Sequence, residues 1–155
     1  MNDKLSEKEL IEYAKPILKA NGFKKKGKRW IRTDAQFTRV FFIQGSCYDK
    51  NDYYIRPGIY INELIGKTND YYGNIMTEIA ITTPEEILSK SFEFFDEWTS
   101  LDYIKKMYLD FLEWDKRNSL EKRRAGEVNY EIDPPPTQLL FALSAEVKKY
   151  ILENC

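Results

Sequence analysis

The apolar positions of this chain fall into two rhythms, a three-to-four spacing near both ends and a mostly two-residue spacing in between. The first helical stretch opens at Ser6, which forms a capping box with Glu9, and Leu5 and Leu10 stand at the positions of a hydrophobic staple. Leu10, Ile11, Ala14, Ile17 and Leu18 then make one stripe that packs on a core. Asn21-Gly22 ends this helix with a left-handed cap, and Phe23 folds back toward the stripe. Pro16 lacks a backbone donor, so a kink or break near Lys15 is expected.

The rhythm changes after residue 23. Lys24 to Lys28 is expected to be a basic turn, Arg29 to Thr33 a strand around Trp30 and Ile31, and Phe37 to Tyr48 the strongest strand. Asp49 to Asp52 then turns the chain so that Tyr53 to Asn62 returns antiparallel, with Ile55, Ile59 and Ile61 on one face and Tyr54, Arg56, Tyr60 and Asn62 on the other. Pro57-Gly58 in the middle of that strand implies an edge position or a bulge. Gly66 to Asn74 is a polar loop, and Ile75 to Thr82 completes a four-stranded meander with Ile75, Ile79 and Ile81 inward.

Helical spacing resumes at Thr83-Pro84-Glu85-Glu86, which supplies an N-cap, a first-turn proline and a capping-box glutamate, followed by Ile87, Leu88, Phe95 and Trp98. A second cap at Thr99-Ser100 leads into Leu101, Ile104, Tyr108, Phe111 and Leu112, in a helix expected to fray between Asp115 and Arg124. Gly126 to Pro136 is a loop, since successive prolines do not fit an element interior, and Leu139, Leu140, Leu143, Val147 and Ile151 form a last amphipathic helix. The expected fold class is α+β: an N-terminal helix, a four-stranded antiparallel meander, then two or three C-terminal helices packed on the sheet. No repeat or linker divides the chain, and its 155 residues are expected to form a single domain, 1–155.

Composition narrows the function classes. Nine Phe, eleven Tyr and three Trp mark a folded globule rather than a disordered chain. The longest apolar runs, such as Val40 to Ile43 and Leu139 to Leu143, fall far short of the roughly 20 residues a membrane span needs, so no membrane partner is expected. The opening MNDKLSEKEL has no basic-then-apolar order, which makes a cytoplasmic location the expectation. With no histidine, neither imidazole ligands nor Ser-His or Cys-His nucleophile pairs are available, and Cys47 and Cys155 lack metal-ligand spacing and are expected to be free thiols. No catalytic, metal-binding or cofactor-binding residue is assigned.

Net charge is only -1, yet residues 1 to 32 carry ten Lys/Arg against four Asp/Glu, while residues 85 to 115 carry three against nine. Either these are solvated faces or the surface is polarised enough to steer a charged partner. Two surfaces carry candidate binding residues. Gln44, Ser46, Tyr48, Tyr54, Arg56, Tyr60 and Asn62 would share one face of the sheet and offer rigid rings beside hydrogen-bonding groups; the alternative is the ordinary wet or helix-covered face of an antiparallel sheet. Lys24, Lys25, Lys26, Lys28, Arg29 and Arg32 form a basic patch around Trp30 that would hold phosphates, or else a solvated turn, and a pI of 5.7 argues against a dedicated nucleic-acid binder. The adjacent acids Glu85-Glu86 and Asp96-Glu97 point about 100° apart on helices, which suits capping and solvation better than paired acid-base chemistry.

The run Leu18-Lys19, Gly22-Phe23-Lys24-Lys25-Lys26-Gly27, Trp30, then Phe42-Ile43-Gln44-Gly45-Ser46 and Gly58-Ile59-Tyr60 resembles an uncharacterised bacterial family, number 4304 among the domains of unknown function. The resemblance covers roughly the first 65 residues and implies a helix followed by a meander, with no established activity. Members often carry a histidine on the next strand, where this chain has Thr77-Glu78-Ile79-Ala80, so no site built on that histidine is carried over. By analogy with such families, the resemblance implies a role as an immunity protein or adaptor. The expectation is therefore a non-enzymatic module that binds another protein, with a small-ligand or nucleic-acid binding domain, using the basic turn and the aromatic sheet face, as the alternative.

Overall fold

The capping box forms as the sequence predicts. The Glu9 backbone N–H donates to Ser6 Oγ at 3.1 Å, and helix α1 runs from Glu7 to Ala20 with Leu10, Ala14 and Leu18 buried. The computed structural model describes residues 5–46 and 52–154, so Cys47, Tyr48, most of the turn at 49–51 and Cys155 lie outside the described residues. Pro16 does not break α1. It sits on the exposed side, while the buried stripe of Leu10, Ala14 and Leu18 holds the helix together across it. At the other end Phe23 N–H donates to Leu18 O at 2.9 Å, and the Phe23 ring packs against Phe92 and Phe95.

The chain forms two compact units, residues 1–99 and 100–155. The first unit holds a six-stranded antiparallel sheet rather than the expected four strands: β1 (Lys24–Lys26), β2 (Arg29–Thr33), β3 (Phe37–Gly45), β4 (Tyr53–Ile55), β5 (Gly58–Ile61) and β6 (Ile75–Met76). Their order is β1-β2-β3-β5-β6, with β4 also paired to β3. The expected basic turn is a hairpin in its own right, because Lys26 pairs with Arg29 across the two residues Gly27 and Lys28. A run of lysines shows no alternation, which hid this strand; at the sheet edge, lysines discourage further pairing.

The expected strand from Tyr53 to Asn62 divides into β4 and β5 at Arg56-Pro57. There is no bulge, for Ile43 faces Ile55 and Val40 faces Gly58 in one unbroken register. Arg56 N–H still donates to Phe42 O at 2.8 Å, and Pro57 turns its donorless nitrogen away from β3. Nor is the strand an edge: Pro57 O accepts from Thr77 N–H, and β5 pairs with β6. The expected strand from Ile75 to Thr82 shrinks to β6 plus a lone bridge between Ile79 and Ile55. Ile75 is buried, whereas Ile79 and Ile81 are only half-buried.

One sheet face is the core of this unit. Trp30, Phe37, Phe41, Ile43, Ile55, Ile59 and Ile61 are all buried, and helix α2 (Pro84–Trp98), capped by Thr83, packs on β5 and on α1. Arg39 lies on this face as well, bridging Asp34 and the Thr99 hydroxyl that ends α2.

The second unit is helical. Helix α3 (Leu101–Arg117) is capped by Ser100 and buries Ile104, Tyr108, Phe111 and Trp114, but Leu112, placed on that stripe by spacing, is exposed. The expected fraying does not occur: α3 continues to Arg117, Asn118 closes it by donating to Trp114 O, and Ser119 starts the short α4 (Leu120–Arg124). The Gly126–Pro136 loop returns to α3 through Trp114 Nε1, which donates to Asp133 O at 2.7 Å. The last helix, α5 (Ala145–Asn154), begins six residues later than the apolar spacing suggests, because Leu140 and Leu143 are buried from the non-helical segment before it. Among the described residues no helix is long and apolar enough to cross a membrane.

Candidate functional site

Alternation places Arg29, Phe42 and Gln44 on the face of the sheet opposite α1 and α2. The register aligns them into rows. Lys26 faces Arg29, Arg29 faces Phe42, and Phe42 faces Arg56; in the next row Gln44 faces Tyr54. Arg56 in turn meets Glu78 on the neighbouring segment, Nε to Oε1 at 3.1 Å. This face therefore carries two arginines with Phe42 between them.

The face is not open. The segment from Asp70 to Asn74 crosses it, and two glycines make the crossing possible: a Cβ on Gly58 would stand 1.8 Å from Tyr72 O, and one on Gly73 would stand 2.7 Å from Ile59 N. Asn74 Oδ1 accepts from Ile61 N–H at 2.7 Å and fixes the end of the crossing. The segment lays Tyr71 and Tyr72 over Phe42, with ring centroids 6.1 and 6.0 Å away, and the two tyrosines meet edge to face at 5.0 Å.

Each arginine is held flat among rings. The Arg29 guanidinium lies 4.7 Å from the Phe42 centroid and 4.4 Å from that of Tyr71, and Nη2 donates to Tyr71 O at 2.9 Å. Arg56 lies 4.6 Å from the Tyr54 centroid and 4.9 Å from that of Tyr72. Its Nη1 donates to Gln44 Oε1 at 2.6 Å and to the Tyr72 hydroxyl at 3.0 Å, and that hydroxyl donates on to Gln44 Oε1 at 2.9 Å, which closes a triangle. A stacked guanidinium contributes roughly 0.5–1 kcal/mol at an exposed ring and more where water is excluded. The main effect here is rigidity, since the polar groups hold one another in place.

The expected face residues separate under this geometry. Gln44, Tyr54 and Arg56 come together, and Tyr54 remains 37% exposed. The Tyr60 hydroxyl is taken up by the carbonyls of Asp70 and Tyr71, at 2.8 and 2.7 Å. Burial pushes the Tyr60 pKa above its usual 10.0, against an opposing hydrogen bond from Arg29. Asn62 ties the structure elsewhere, accepting from Thr38 Oγ1 at 2.7 Å and donating to Asp34 O at 2.7 Å. Ser46 follows the end of β3, where its N–H donates to Asp52 O, and Tyr48 lies outside the described residues.

The basic patch divides in the same way. Lys24, Lys26 and Arg29 share the arginine–tyrosine face, Lys25 and Arg32 lie on the other face, and Lys28 is in the turn. Phe42, Tyr71, Tyr72 and Glu78 join the site although spacing did not single them out. The Tyr71-Tyr72 doublet in an otherwise polar loop was the one signal of them in the sequence. A cleft of about 260 Å³ opens beside the site, with Tyr54 and Glu78 on its rim. Among the described residues, no three His, Cys, Asp or Glu side chains are grouped to hold a metal ion. Of the adjacent acids, Glu86 pairs with Lys90 at 3.0 Å, and that hydrogen bond holds its pKa below the usual 4.5.

The chain belongs to the family described as domain of unknown function (DUF4304), whose sequence profile matches residues 14–106. The match runs from the middle of α1 through the whole sheet and α2 into the first turns of α3. No curated protein and no solved structure matches the chain.

Proposed function

We propose that this DUF4304 protein is a non-catalytic module that binds another protein, of the kind that neutralises a toxin domain or bridges two partners, and that the face around Tyr54, Arg56, Tyr71 and Tyr72 makes the contact. One observation carries the reading. Tyr54 is 37% and Tyr71 60% exposed, and each ring is backed by an arginine that is itself fixed by hydrogen bonds. Tyrosine and arginine concentrate binding energy because they combine area with directed hydrogen bonds. Rings already held in place lose little freedom when a partner covers them.

The test is affinity capture from the source lysate after nuclease treatment, with wild type beside Tyr54→Ala/Tyr71→Ala. A partner held at high salt by the wild type and lost by the folded double variant supports the reading. Turnover of a substrate by the purified protein, abolished by Arg56→Ala without unfolding, overturns it. A second reading, a single-stranded nucleic acid or small anionic ligand, is favoured by Lys24, Lys26 and Arg29 lying on the same face as the exposed Tyr71. Binding that collapses between low and moderate salt, or on nuclease treatment, would select it.

A further inference from the structure

The β1–β2 hairpin carries more positive charge than the described structure neutralises. Arg39, Arg56, Lys90, Arg117 and Arg123 each pair with a carboxylate. Among the described residues, Lys24, Lys25, Lys26 and Lys28 have no such partner, and all four are exposed. Two of them, Lys25 and Lys28, stand over a groove of about 150 Å³ between α1 and the hairpin. Its floor is apolar, built from Ile11, Trp30 and Ile43, and among the described residues Glu7 is the one acid on its wall.

A cavity of about this volume accommodates one benzene-sized group, so the groove has room for one aliphatic or aromatic side chain. The apolar floor and the cationic rim ask for different things from one ligand: an apolar anchor with carboxylates beside it. We infer that this groove docks an acidic linear segment of a protein partner, with an apolar side chain seated over Ile11 and Trp30 and flanking carboxylates meeting Lys25 and Lys28. Charge complementarity selects this occupant. A nucleic acid fits less well, because Trp30 is only 4% exposed and offers no face for a base to stack on. The inference takes from the proposed function only that the partner is a protein; its residues lie apart from the Tyr54–Arg56 face.

The probe is a fluorescent peptide of glutamates flanking one leucine, read by anisotropy at low and moderate salt against the full chain. Beside it run the same peptide with serine for leucine and an oligothymidylate of equal charge. The glutamate–leucine peptide should bind and weaken as salt rises. Both the serine exchange and the double variant Lys25→Glu/Lys28→Glu, whose exposed positions leave folding intact, should weaken binding by about tenfold or more. Absence of peptide binding at low salt, indifference to either change, or tighter binding of the oligothymidylate through the same lysines would overturn the inference. Tyr54→Ala should leave peptide binding unchanged. Loss of partner capture in that variant with peptide binding intact would therefore count for both surfaces, whereas capture that depends on Tyr54 without any peptide binding would sink this inference alone.

Discussion

Arg56 lies across the ring of Tyr54, two residues back on the same face of the sheet, with 4.6 Å between the guanidinium carbon and the ring centroid. The same guanidinium holds Gln44, Tyr72 and Glu78. A single side chain thus joins β3, the β4–β5 break, the crossing segment and the stretch that follows β6. Arg56→Ala should lower stability by about 1–2 kcal/mol through its lost hydrogen bonds and stacking. Arg56→Lys keeps the charge opposite Glu78 but not the planar fork, so it should recover less than half of that in urea denaturation.

Gly58→Ala should be far more damaging than its size suggests. The added Cβ would stand 1.8 Å from Tyr72 O, a backbone atom that no rotamer change can move, so the crossing segment must lift. A loss of at least about 2 kcal/mol is expected, with Tyr71 and Tyr72 becoming more exposed to quenchers. Gly45→Ala is the control, for among the described residues nothing lies within 4 Å of its Cβ position; its denaturation midpoint should hardly move.

Asp34 carries a pH dependence whose sign is fixed by its partners. Burial works against its ionisation, but the hydrogen bond from Arg39 and the backbone N–H groups of Phe37 and Gln36 outweigh it and hold the pKa below the usual 3.8. A folded pKa below the unfolded one means a contribution that is complete above the unfolded value and lost as pH falls through the folded one. The stability advantage of wild type over Asp34→Asn should therefore be constant at neutral pH and shrink from about pH 4 downward. Thermal melts across that range test it, and an advantage that grew on acidification would contradict the assignment.

The helix caps give a simpler expectation. Thr83 Oγ1 accepts from Glu86 N–H at 3.2 Å and Ser100 Oγ from Tyr103 N–H at 3.2 Å. Alanine at either position should cost about 1 kcal/mol, and aspartate should restore most of it, as read by calorimetry.

Those caps were legible in the sequence because a cap is a local device, with donor and acceptor three residues apart. The same holds for the α1 stripe and for the Asn21-Gly22 stop. The sheet was legible only in outline. Lys24–Lys26 hid its strand because identical side chains carry no alternation, and the two-residue turn at Gly27-Lys28 was shorter than the basic run suggested. Pro57 was seen to interrupt a strand, but the way the register survives it depends on Phe42 and Thr77, which are remote in sequence.

For the candidate site, Gln44, Tyr54 and Arg56 followed from alternation, whereas Phe42, Tyr71, Tyr72 and Glu78 did not. Their membership is decided where one segment crosses another at Gly58 and Gly73, and neither glycine signals its partner. Tyr60 and Asn62 look like surface donors by spacing, yet both are occupied by backbone carbonyls brought in from elsewhere. Alternation reports a side chain's face, not what later covers it.

The central place of β3 also orders the assembly of its unit. It pairs with β2, β4 and β5, all close to it in sequence, so its contacts close short loops and form early. The crossing of Asp70–Asn74 can be laid down only once β3 and β5 already stand side by side. Amide hydrogens in β3 should accordingly exchange slowest, and those around Tyr71 should open without the sheet coming apart. The aromatic face then forms after the strands beneath it and opens before they do, and a partner that clamps Tyr71 would slow exchange there while leaving β3 unchanged.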